Sequence, residues 1–214
     1  MRKVTFGFAL ALLFAGISAA QEWEVGGMAS YGFYRNVDAT NPQGSASAGF
    51  GPGAAFGAVV GYNSNSRFGG EFRYAFEMND LRLSSAGTTA SFAGQSHVIG
   101  YDLILHPRVR HAGKIQPFLA VGGGMKLYRG TGSEQAFQNL ENFALLTKTQ
   151  QVEPMISVGG GIKVALSQHL LLRAEIRDYL TPFPQNVITP VPPTRIGGWL
   201  NDFVPMIGIS YIFE

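Results

Sequence analysis

The chain contains no cysteine among its 214 residues, which excludes a disulfide framework and the lipidated cysteine of a lipoprotein anchor. Beyond residue 20 it also lacks any apolar run approaching the roughly 18 residues that a membrane-crossing helix requires. A strong charge of either sign is absent too. The 16 Lys and Arg residues include Arg2 and Lys3, and without those two, 14 bases face 14 acids. Nucleic-acid binding therefore has no electrostatic footprint. None of the four histidines (His97, His106, His111 and His169) has a metal-like partner two or four positions away. His106, His111 and His169 fall in or beside short turns and read as solvated, with His97 toward the far rim. The runs "GFGPGAAFG" and "VGGGMK" lack the Gly-Lys-Ser/Thr ending of a phosphate loop and read as strand glycines. No cofactor is expected.

What is present begins with an export signal. "MRKVTFGFALALLFAGISAA" has a basic start, an apolar run from Val4 to Ile17, and Ser18 and Ala20 at the −3 and −1 positions of a cleavage site. Residues 1–20 are read as a signal peptide and residues 21–214 as one domain. The chain holds 28 Gly, and its 16 Phe, 8 Tyr and 2 Trp come without a helical period, which points to an all-β chain.

Period-two alternation marks eight segments: Trp23–Asn36, Phe50–Tyr62, Phe68–Ser84, Phe92–His106, Gln116–Arg129, Val152–Leu166, Leu170–Thr181 and Asp202–Phe213. Connections after the second, fourth and sixth are short, and those after the first, fifth and seventh are long. Such a rhythm predicts an eight-stranded antiparallel up-and-down barrel, with short turns at the periplasmic end and long loops outside. The third connection is short in this reading, with strand three projecting beyond the membrane. The loop Gly130–Gln150 spaces Phe137, Leu140, Phe143, Ala144 and Leu146 as a short amphipathic helix would. Thr181–Leu200 carries five prolines and reads as extended and turn-rich.

Each segment has an apolar face, so the opposite face decides which side looks inward. On several strands that face carries Gly, among them Gly122, Gly124, Gly159, Gly161 and Gly208, which gain nothing from solvent. Inside a narrow barrel, small residues make room for long ones. The remaining members are Glu24, Glu71, Glu77, Asp102 and Glu175 against Arg73, Lys126, Lys163, Arg173 and Arg177, an even match. Buried charges persist when paired, so these ten are predicted to form an ion-pair network plugging the lumen. The apolar parity would then face lipid. Its polar exceptions, Arg35 and Asp178, fall at the upper strand ends, where such residues cost little.

Three stretches, "IQPFLAVGGGMKLY" (Ile115–Tyr128), "VGGGIKVALSQHLLLRAEIRDY" (Val158–Tyr179) and "PMIGISYIF" (Pro205–Phe213), resemble the small OmpA/OmpX-like outer-membrane β-barrel family. The resemblance spans the mature chain. It implies a bacterial outer-membrane location and a C-terminal signal, Ile209, Tyr211 and Phe213, read by the barrel-assembly machinery. Here Glu214 follows the terminal Phe. The resemblance does not extend to the peptidoglycan-binding domain of OmpA, so tethering to the cell wall is not expected.

Functional expectations follow. The leading one is a non-enzymatic structural or surface-interaction role, with the long loops as contact surface for lipopolysaccharide or an unidentified ligand, on a monomeric barrel in outer-membrane lipid. The alternatives are a narrow pore for small solutes, a lipid-modifying enzyme using His97 with Ser96 or Ser91, and a soluble secreted barrel with an internal ligand. Adjacent strand residues point oppositely, which weighs against pairing His97 with Ser96.

Overall fold

The computed structural model describes residues 22–63, 67–107 and 113–213. The expected signal peptide, His111 and Glu214 lie outside them. In chain order the strands are β1 (Glu22–Arg35), β2 (Val37–Asn41), β3 (Gly44–Phe50), β4 (Gly53–Asn63), β5 (Phe68–Glu77), β6 (Leu81–Ser85), β7 (Thr88–Phe92) and β8 (Gly94–Leu105). They continue as β9 (Ile115–Gly130), β10 (Ala144–Leu146), β11 (Gln150–Ala165), β12 (Leu170–Pro182), β13 (Ile188–Pro190), β14 (Arg195–Ile196) and β15 (Trp199–Phe213).

Eight of them close into an antiparallel barrel in the order β1-β15-β12-β11-β9-β8-β5-β4, with β4 returning to β1. The expected fold class is therefore observed. Closure removes every free edge, so all ladder hydrogen bonds are made within the wall. The parity is that expected of a barrel in lipid. Phe56, Phe72, Leu103, Val121, Ile156 and Ile207 are exposed on the outer wall, whereas Arg73, Arg173 and Arg177 are among the largest fully buried side chains.

The glycines of β9 have a more specific role than leaving volume. A Cβ at Gly122 would collide with the Tyr101 carbonyl oxygen, and one at Gly124 with that of Ile99, both on β8. The two backbones approach so closely that only hydrogen fits between them.

The remaining strands form a cap on the end carrying the long loops. One sheet has the order β14-β2-β3-β6-β7, and β10 pairs with β13. Three sequence expectations are corrected here. Phe68–Ser84 is not one projecting strand: β5 ends at Glu77, and β6 belongs to the cap sheet. Phe50 and Phe92 likewise close cap strands β3 and β7 instead of opening barrel strands. Gly130–Gln150 forms turns and the short β10, not a helix. Its Phe143, Ala144 and Leu146 are drawn into the cap core, and backbone pairing of β10 with β13 satisfies groups that a helix would have satisfied internally.

The barrel lumen and its cap as candidate functional site

From the base upward, the lumen is filled in tiers. Lowest lie Ile104, Phe118 and Ala120. Above them the Lys163 ammonium and the Arg173 guanidinium pack over the Phe118 ring, 5.5 and 5.0 Å from its centroid.

The lower ion cluster joins four acids to four bases. Arg73 reaches Glu71 at 2.6 Å and Glu175 at 2.7 Å, and lies 3.6 Å from Asp102. Arg173 meets Glu71 at 2.6 Å and Glu175 at 2.8 Å, with Glu24 at 3.4 Å. Arg177 lies 3.0 Å from Asp102, and Lys163 donates to Glu24. Every one of these side chains is buried. Each carboxylate stands between guanidinium groups or an ammonium, the condition under which buried charge is tolerated.

A band of apolar side chains crosses the lumen above that cluster: Met28, Val59, Val98, Met155, Val204 and Met206, with Ala75 and Tyr179. The thioether sulfurs of Met28 and Met206 accept from Arg73 Nη1 at 3.7 and 3.2 Å, which ties band to cluster.

The upper cluster centres on Lys126, whose ammonium donates to Glu77 at 2.6 Å and to Asp202. Tyr34, Tyr128 and Tyr179 surround it, with ring centroids 5.4, 5.2 and 5.9 Å away. The Tyr34 hydroxyl donates to Glu77 at 3.1 Å, while Tyr128 and Thr181 hydroxyls lie 2.7 Å apart. Asp202 is the member that sequence parity missed. The eighth segment begins with it, and its neighbours Val204 and Met206 hide the alternation. Its presence gives this cluster two carboxylates to one ammonium.

Tyr128 stacks on Phe50 at 4.8 Å, and the apolar core of the cap begins there. Leu81, Leu83, Phe92, Phe143, Ile188 and Leu200 lie within that core, so residues from all the long connections meet over the mouth. Phe137 is the large apolar side chain that the cap leaves 82% exposed.

The structure thus places all ten sequence-selected charges inside the barrel, in two clusters and not one. Ile209, Tyr211 and Phe213 lie on the outer wall near the base of β15, where Tyr211 packs edge-on to Phe213 at 4.9 Å and stacks on His169 at 5.7 Å. His106 departs from the expectation of a solvated turn histidine. It is buried at the barrel base, where its Nδ1–H donates to the Pro117 carbonyl at 3.3 Å. Burial, followed by the Lys163 ammonium, holds its imidazole down to about 4. His97 bonds Tyr74 on the outer wall at 2.9 Å, whereas Ser96 points inward to Glu77 and Asn79. Of the two serines the enzyme reading offered, Ser96 is therefore not paired with His97, and Ser91 lies on cap strand β7. Among the described residues no group of three or more His, Cys, Asp or Glu side chains could hold a metal ion.

A closed eight-stranded barrel with an apolar outer wall and a charged interior defines a small transmembrane β-barrel protein. The sequence matches the outer membrane protein beta-barrel domain over residues 7–186, and the chain belongs to that family, whose place is the bacterial outer membrane. Among solved structures it is similar to the outer membrane protein OprG from Pseudomonas aeruginosa, at 15% identity and a TM-score of 0.57, covering 93% of this chain and 98% of that one. It is also similar to Neisserial surface protein A, at 15% identity and a TM-score of 0.52, covering 90% and 99%. A major outer membrane protein from Thermus thermophilus gives 16% identity and a TM-score of 0.50, covering 91% and 100%. At these identities the likeness is one of fold. Curated protein sequences include no significant match.

Proposed function

We propose that the protein is a non-conducting, non-enzymatic outer-membrane barrel that displays a compact cap at the cell surface for interaction. The observation that carries this reading is the stacking of two ion clusters on either side of an apolar band. Water and ions crossing the barrel would have to part Arg73 from Glu175, then wet a layer of methionine and valine, then part Lys126 from its carboxylates. Each step exposes buried charge or apolar surface at a cost of several kcal/mol. Eight-stranded barrels have interiors just wide enough for side chains to fill, and aqueous channels belong to wider ones.

The surface role rests on the cap. Connections that would be mobile as separate loops share one apolar core here. They present a fixed outer face on which Phe137 stands clear. On the outer wall at the base, Ile209, Tyr211 and Phe213 serve in this reading as the signal for insertion by the assembly machinery.

Conductance of the purified protein in planar bilayers tests the proposal. Silence, or rare brief openings, is the expected record. Steady openings of the wild-type protein would reject the sealed lumen and favour the solute-pore reading.

A further inference from the structure

The outer wall is not uniform in charge around its upper rim. Arg129 lies near the top of the outward face of β9, in register with Gln95 of β8 and Gln150 of β11. One outward position lower, His97 stands beside Phe76 on β5, with its Nδ1 2.9 Å from the Tyr74 hydroxyl and its Nε2 3.5 Å from Gln95 Nε2. Arg129 therefore sits just above a shelf of aromatic and imidazole rings, the height at which lipid headgroups meet water.

No outward-facing position of β5, β8, β9 or β11 is acidic. The nearby Asp80 is engaged by the Gly94 backbone N–H, which donates to it at 3.3 Å. Among the described residues Arg129 is exposed and has no carboxylate partner. Arg35 occupies the same height on β1, four strands away around the ring. Its sector differs: Asn201, in register with Arg35, donates to the Asp178 carboxylate at 3.2 Å, so negative charge faces lipid there.

We propose that Arg129, flanked by the Gln95 and Gln150 amides, is a docking site for the phosphate group of an outer-leaflet lipid. The guanidinium fork matches a phosphate bidentately, and the neighbouring amides supply further donors. The outward positions of these four strands carry no acid to repel it. The lipid's chains would descend along the apolar wall below. The inference rests only on that outer wall facing lipid, not on the lumen being sealed.

Native mass spectrometry of the full-length protein in detergent tests it. The probes are bis-phosphorylated lipid A, its dephosphorylated form and inorganic phosphate. The wild-type protein should retain the phosphorylated lipid. Arg129→Gln should lower retention about tenfold, the factor that one charge-assisted hydrogen bond supplies, and Arg35→Gln should leave it unchanged. Heat-modifiable gel mobility establishes that both variants are folded. Unchanged retention in Arg129→Gln, an equal loss in Arg35→Gln, or wild-type retention of dephosphorylated lipid A would overturn the assignment. Displacement by equimolar inorganic phosphate would overturn it as well, since the site would then be one for free anions.

Discussion

Arg73 on β5 and Glu175 on β12 meet at 2.7 Å, although their strands stand four places apart in the ring of eight. This ion pair spans the full diameter of the barrel. The lumen is thus cross-braced by side chains from opposite walls, and the wall and its filling hold each other in place.

The first prediction concerns that brace. Glu175→Ala would leave Arg73 and Arg173 short of a shared carboxylate in a buried setting, and stability should fall by about 3–5 kcal/mol. Urea unfolding followed by heat-modifiable gel mobility measures this. A loss below about 1 kcal/mol, the scale of an exposed pair, would mean that water solvates the cluster.

The upper cluster makes a coupling prediction. Lys126→Met should be strongly destabilising, because Glu77 and Asp202 would then face each other without a cation. Adding Glu77→Gln should restore part of the loss, with a coupling energy of about 0.5–3 kcal/mol. Purely additive effects in a double-mutant cycle would contradict the paired arrangement.

Ten of the eleven charges in these clusters were legible in the sequence because strict alternation put them on one parity of each strand. The same rule shows why other features were not. Glu77, Asn79, Leu81 and Leu83 are all buried on one unbroken parity, yet the first lines the lumen and the last two fill the cap core. Periodicity reports which side is buried, not what it is buried in, so the passage from β5 into β6 leaves no mark. The apolar band was hidden for a related reason. Pairs such as Val59-Val60 and Val98-Ile99 put apolar residues on both faces, and the lumen member cannot be told from its lipid-facing neighbour. His106 lies one residue past β8, where turn composition argues for solvent and only the three-dimensional approach of Pro117 reveals burial.

The cap should behave as a separable unit. Ile188→Ala removes a fully buried side chain from its core and should cost about 2–5 kcal/mol locally. Limited proteolysis should then cut the loop segments faster, while the barrel keeps its heat-modifiable mobility. Loss of that mobility together with loop cleavage would show that cap and barrel fold as one.

His106 gives a pH dependence whose sign follows from its environment. The folded state holds its imidazole neutral down to about 4, whereas an unfolded chain takes up a proton near the ordinary value of about 6.5. Its stabilising contribution is complete above about 6.5 and is lost as pH falls toward 4. The fall in urea midpoint between pH 7 and pH 4.5 should be smaller for His106→Gln than for the wild-type protein. Equal falls would place the imidazole in solvent.

The absence of native cysteine makes the central claim open to direct measurement with single-cysteine variants and a charged, membrane-impermeant thiol reagent. Val98→Cys would lie within the apolar band of the lumen, and Thr88→Cys on the exposed tip of the cap. The account predicts rapid labelling at position 88 and none at position 98 while the barrel remains folded. Labelling of both at similar rates would mean an open, wet lumen and would contradict the sealed barrel.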